Sequence, residues 1–393
     1  MNSHVLTNAI IVTPNDHFNG SVVVENGIIT DVVRGKNYKE GIDLRLNWLI
    51  PGLIDIHSDY LEKELHPRPS ASFPVPFAMH FMDARAAACG ITTLFSAISF
   101  SQDEGKSRTF DEALNLARMI EHASSDLLIN HYIHARLDPN SHATLNYLDD
   151  MLSLNNMKIV VYNENIPGQR QFTLDYAIEM RAKNKGVSKE EMRKYLLQVI
   201  EERSKINHRQ EIYEKFYGLI PLGSHDDTTV YQVVEAKGYG ATLSEMPTTI
   251  EAARRAKELG MFVCMGAPNY YRGGSHCGNL SCIDAIEENL VDILCSDYHF
   301  PTMLACLTKM INDGFQPSFA VNLMTKNAAD YLGLTNIGSI EIGKRADLVS
   351  FGIKSDYGAV TNVFVNGFKK YSAGYQLKDN HNEIKKLELL NIG

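Results

Sequence analysis

His57-Ser58-Asp59 places an imidazole and a carboxylate two residues apart. In an extended chain residues i and i+2 project to one side, so both side chains can reach one ion. Arg136-Leu137-Asp138, Asn163-Glu164-Asn165, His225-Asp226-Asp227, Glu245 and Asp297 bring further carboxylates and one more imidazole. Nitrogen and oxygen donors of this kind suit zinc, manganese or iron, and with no cysteine in the set a thiolate site is not expected. One divalent ion makes hydroxide available near neutral pH, and a second would also hold a leaving group. The expected cofactor is therefore one or two divalent ions, zinc first, and the expected chemistry is hydrolysis.

Each of these residues has a plainer alternative. A lone histidine such as His57 is often a satisfied core residue. Asp138, Asp226 or Asp297 could cap the helix that follows, and Glu164 could simply pair with Arg170. Recurrence of such residues after several separate strands favours His57, Asp59, His225 and Asp297 as ligands, with Asp297 and His225 also as the catalytic pair. Asp138 and Glu164 are candidate ligands and Glu245 a candidate substrate contact, with the plainer roles open for all three.

A second group runs Gly266-Ala267-Pro268-Asn269-Tyr270-Tyr271-Arg272-Gly273-Gly274-Ser275-His276. Paired glycines allow successive N–H groups to converge on an anion. Asn269, Arg272, Gly273, Gly274 and His276 are thus candidate substrate contacts, joined by Arg68 and Arg170, because guanidinium groups bind phosphate oxygens in pairs. The alternatives are a plain loop, and arginines that brace loops against Glu62, Glu64 or Asp226.

These groups need a scaffold that gathers strand ends. Apolar β-rich runs at Leu53 to Ile56, Ile91 to Ala97, Ile129 to Ala135, Lys158 to Tyr162, Leu219 to Leu222, Ala241 to Leu243, Met261 to Met265 and Val291 to Cys295 alternate with helical stretches. Eight such units predict a (β/α)₈ barrel whose active site lies at the C-terminal ends of the strands. Between the fourth and fifth runs, residues 173–217 form a charged insertion. Ser188 with Glu191 three residues on marks a helix start within it. Both chain ends are β-rich: Asn8 to Val12, Ser21 to Val24 and Ile28 to Val33 at one, Asp347 to Phe351, Val360 to Val365 and Phe368 to Tyr371 at the other, with turns at Asn26-Gly27 and Asn366-Gly367. The expected division is a small β-sandwich domain from 1–52 and 336–393, around a barrel at 53–335.

With 393 residues, 44% hydrophobic and 22% charged, the chain can build a large core. A net charge of −9 disfavours a general nucleic-acid or membrane surface, though not a local basic pocket. Six scattered cysteines without a CxxC pair read as free thiols in a reducing compartment. The opening residues lack the charged and apolar regions of a signal peptide, and no apolar run spans a bilayer, so a cytoplasmic location is expected.

The run Leu49-Ile50-Pro51-Gly52-Leu53-Ile54-Asp55-Ile56-His57, followed by Gly90-Ile91-Thr92-Thr93, and later Gly343-Lys344-Arg345-Ala346-Asp347-Leu348, resembles the amidohydrolase superfamily. Within it, His57-Ser58-Asp59, Pro67-Arg68-Pro69, Pro167-Gly168-Gln169-Arg170-Gln171-Phe172, Ser224-His225-Asp226-Asp227, Pro247-Thr248-Thr249, the Gly266 to Asn279 run and Ser296-Asp297-Tyr298 are similar to the diphosphatases of the carbon–phosphorus lyase pathway. That resemblance implies a small phosphorylated sugar as substrate. A ribose 1-methylphosphonate 5-triphosphate would lose pyrophosphate, with Asp297 orienting the attacking water and taking its proton. A homodimer is compatible with it. At two positions the chain departs from those enzymes: Asp138 stands where they carry Glu, and Asn165 where they carry His. The alternatives are a cyclic amidase or deaminase of the same superfamily, which needs no triphosphate clamp, and a weakened paralogue acting as a complex subunit.

Overall fold

The computed structural model describes residues 3–68, 71–102, 109–164, 166–170, 172–275, 277–354 and 357–375. Two sheets organise them. The first has seven strands: β1 (Ser3–Val12), β2 (His17–Glu25), β3 (Ile28–Arg34), β4 (Ile42–Pro51), β13 (Leu348–Lys354), β14 (Tyr357–Val365) and β15 (Phe368–Ser372), in the order β15-β14-β13-β4-β1-β2-β3. The second runs β12-β11-β10-β9-β8-β7-β6-β5, from β5 (Leu53–Ser58) through β6 (Ile91–Phe100), β7 (Asn130–Leu137), β8 (Met157–Tyr162), β9 (Leu222–His225), β10 (Ala241–Glu245) and β11 (Phe262–Gly266) to β12 (Ile293–Cys295). A parallel bridge between Ser58 and Asp297 joins its first and last strands, which closes a (β/α)₈ barrel. Contacts divide the chain into two compact units. One takes in the residues up to Leu94, Asp126–Asn130 and those from Ile293 onward; the other takes in Phe95–Ser125 and His131–Asp292.

In the first unit the mixed sheet is built from both ends of the chain. Alternation along its strands buries Leu6, Ile11, Val22, Val24, Ile29, Leu44, Leu49, Leu348 and Phe364 in one cluster. Asn26 and Gly27, like Asn366 and Gly367, have positive φ, as two-residue hairpin turns require. The two tips meet, since a Cβ added to Gly27 would lie 2.5 Å from Asn366 Oδ1. The antiparallel seam of β4 with β13 sets Trp48 opposite Phe351, with their rings stacked at 6.3 Å.

Gly52 alone separates β4 from β5. A Cβ there would fall 2.0 Å from Thr92 Oγ1, so the Pro51-Gly52 and Ile91-Thr92-Thr93 runs are two sides of one close approach.

In the second unit the expected insertion is three helices, Leu174–Lys185, Lys189–Arg203 and Arg209–Phe216. Ser188 caps the second, its hydroxyl accepting the Glu191 N–H at 3.1 Å. Ala177, Ile178, Ala182, Met192 and Leu196 give the first two helices a small core of their own.

The fifth barrel strand differs from expectation. It occupies Leu222–His225 rather than Leu219 to Leu222, and Leu219 is 67% exposed. Pro221 has no N–H to donate to the ladder; its carbonyl accepts from Val160 N at 3.1 Å, and the strand begins after it. His225 therefore lies on the strand itself. Among the described residues no helix is long and apolar enough to cross a membrane.

Candidate metal and substrate site

In the first unit, strands β5 and β12 bring three expected residues together. One ligand atom each from His57, Asp59 and Asp297 lies within 4.8 Å of the others, and His57 Nε2 is 3.7 Å from Asp59 Oδ1. The backbone holds the group: Asp297 N donates to His57 O at 3.1 Å, and Asp59 N donates to Asp297 O at 2.8 Å. Asp297 has φ +55°, a left-handed conformation that Asp tolerates better than bulkier side chains. One imidazole and two carboxylates match the donor chemistry of a zinc, manganese or iron ion. Beneath them Asp55 is fully buried and accepts from Ser296 N at 2.9 Å. Burial pushes its carboxyl up to about 7, with the Ser296 contacts and His57 acting in the opposite direction.

In the second unit the C-terminal ends of β7, β9 and β10 gather another set. The parallel register pairs His225 with Glu245. His134 Nε2 stands 3.3 Å and His225 Nε2 3.7 Å from Glu245 Oε2, and His225 Nδ1 stands 2.9 Å from Asp226 Oδ2. His134 and Glu245 are wholly buried. Two imidazoles thus approach the same carboxylate oxygen. Glu245, expected to meet substrate, thus sits among imidazoles. His134 was missed because it lies within a strand rather than after one. Its signal was alternation, since it is two residues before Arg136 and four before Asp138.

Other expected residues have different partners. The Asp138 carboxylate, fully buried, takes Arg203 from the insertion and the Asn140 N–H at 3.0 Å. Glu164 takes Arg170 in a two-pronged pair, Nε to Oε2 at 3.0 Å and Nη2 to Oε1 at 2.8 Å, and also meets Arg209. Arg170 Nη1 reaches Asp227 Oδ1 and the His225 carbonyl, both at 2.7 Å. Arg170 was expected to meet substrate phosphates, yet its side chain is 5% exposed and ringed by acceptors of the protein itself.

The glycine loop also departs from expectation. Gly273 N donates to Tyr270 O at 3.1 Å and Gly274 N to Asn269 O at 2.9 Å. Both N–H groups therefore close the helix Ala267–Arg272 instead of converging on an anion. Asn269 braces the same loop, donating to Leu280 O and accepting from Cys282 N, each at 2.9 Å. Arg272 and Arg68 are exposed. His276 and Asn165 lie outside the described residues.

The sequence pattern of the amidohydrolase family matches residues 48–369. An Escherichia coli (strain K12) protein, alpha-D-ribose 1-methylphosphonate 5-triphosphate diphosphatase, is 34% identical over 382 residues, spanning 92% of this chain and 99% of that protein. Among solved structures, a D-hydantoinase superposes with a TM-score of 0.60 at 13% identity, covering 95% of this chain and 97% of its own. A 5-methylcytosine deaminase from Klebsiella pneumoniae gives 0.60 at 13% identity, covering 95% and 99%. At such identities the two structures bear on the fold alone.

Proposed function

Since the chain belongs to the amidohydrolase family, and is a metal-dependent hydrolase, we propose that it cleaves a ribose 1-alkylphosphonate 5-triphosphate in the cytoplasm and releases pyrophosphate. The likeness to the E. coli diphosphatase across nearly the full length of both chains carries this reading. We assign His57, Asp59 and Asp297 as one ligand set, and His134 and His225, each close to the Glu245 carboxylate, as a second. A divalent ion held by these residues would make a reactive hydroxide available near neutral pH and offset charge on the phosphoryl oxygens.

The chain's own residues do the rest. Asp297, fixed by its two backbone hydrogen bonds, orients the attacking water and receives its proton. The bond that breaks is the anhydride between the phosphorus on the sugar side and its neighbour. Water supplies the oxygen, the 5-phosphate stays on ribose and pyrophosphate departs. Arg68 and Arg272, exposed, meet the triphosphate. Asp138 and Glu164, held by guanidinium groups, anchor the insertion and the loop after β8.

A second reading, hydrolysis of a cyclic amide, is favoured by one observation: Arg170 and the Gly273 and Gly274 N–H groups are engaged within the protein, which leaves fewer groups for phosphate. The test presents the purified chain, loaded with zinc or manganese, with the triphosphate and with a hydantoin. Release of pyrophosphate and the 5-phosphate is the expected result. Ring opening of the hydantoin without pyrophosphate release would transfer the assignment to the second reading. A chain that binds no divalent ion and turns over neither compound would identify a weakened paralogue.

A further inference from the structure

Arg170 was expected on the substrate. The geometry points instead to Arg170 as a positioning residue for His225, through a buried hub at Asp227. The inference rests on the preceding reading that His225 holds an ion.

The turn that presents Arg170 is fixed. Gly168 has φ +78°, and a Cβ on it would come 2.7 Å from Leu174 Cβ. Arg170 itself has φ +69°. Its guanidinium then spends four N–H directions on three acceptors, Glu164, Asp227 and the His225 carbonyl, at 2.7–3.0 Å. Asp227 is wholly buried. Its other oxygen accepts the Ser224 hydroxyl, and the Ser244 hydroxyl at 3.2 Å. Ser224 and Ser244 are register partners on β9 and β10, one residue before His225 and Glu245.

One cation thus ties the loop after β8 to the ends of β9 and β10, which carry His225 and Glu245. A substrate phosphate could take this guanidinium only by displacing two buried carboxylates. Such a displacement would leave charges unpaired in the interior, which is costly. The fork is also specific: a lysine has one nitrogen and cannot span the same three acceptors.

The experiment compares wild type with Arg170→Lys and Asp227→Asn in three measurements: zinc affinity, kcat and KM at saturating zinc, and the kcat/KM ratio between the triphosphate and its diphosphate analogue. Near-ultraviolet circular dichroism reports folding. Loss of a supporting contact behind a ligand typically weakens metal binding by about 10–100-fold. That loss is expected in both variants, with kcat lowered, KM unchanged and the ratio between the two substrates preserved. Unchanged zinc affinity with a raised KM and a collapsed ratio would make Arg170 a substrate clamp and overturn the inference. If Arg170→Lys does not fold, the same readouts on Asp227→Asn decide. A wild type that binds zinc yet releases no pyrophosphate removes the substrate reading alone, and the zinc arm still decides this one.

Discussion

Asp297 combines two roles that a single substitution separates. Its backbone closes the barrel against His57 and Asp59, while its carboxylate is assigned to the ion and to the water. Asn tolerates the same left-handed conformation, so Asp297→Asn should keep the melting temperature of wild type and lower kcat by about 10²–10⁴-fold. A variant with near-normal turnover would take Asp297 out of proton transfer. At His57 the expectation is different: His57→Ala should lower the zinc content measured after dialysis, with folding retained. A third residue reports on burial. The Cys89 thiol is pushed up to about 12 by desolvation, so alkylation by iodoacetamide at pH 8 should be far slower than for a free thiol. Rapid labelling of Cys89 in native protein would contradict that environment. At this scale the sequence made residue types legible but not their partners. His57, Asp59 and Asp297 could be read because each follows an apolar run. Arg170 could not, because its acceptors lie as many as 57 positions away and a buried cation looks like an exposed one in a string of letters.

Elements were more legible than partners. Each of the eight barrel strands falls on or beside an apolar run visible in the sequence, and the insertion between the fourth and fifth is helical with Ser188 at a cap. The largest displacement was at the fifth strand, shifted by three residues at both ends. The apolar run Leu219-Ile220 continued into Pro221, and hydrophobicity alone gave no sign that the ladder waits for the next N–H donor. The insertion also yields a prediction. Leu196 lies in the core of the first two insertion helices and not in that of the barrel. Leu196→Ala should cost about 2–5 kcal/mol locally. Hydrogen exchange should then accelerate across Leu174–Lys185 and Lys189–Arg203 while the barrel strands keep their protection. Uniform loss of protection over the whole chain would show that these helices are not a separate cooperative unit.

For the molecule as a whole, the order β15-β14-β13-β4-β1-β2-β3 means that a sheet begun by the first strands is completed only by the last. Hairpin turns at Asn26-Gly27 and Asn366-Gly367 were readable, whereas the pairing of β4 with β13 was not, because nothing local in either strand names its partner. A chain ending at Asp347 should accordingly aggregate when expressed, as it lacks β13 to β15 and leaves Trp48, Leu49 and Ile50 on an open edge. A soluble, monomeric product would show that the seam is dispensable. The same seam sets a clock on synthesis. Pro51 pairs with Leu348, and a ribosome adding about 5–20 residues per second needs roughly 15–60 s to make the stretch between them. Throughout that interval the nascent chain carries an unfinished strand edge, so its yield in a cell should depend on how fast it is translated and on whether a chaperone is at hand to cover that edge.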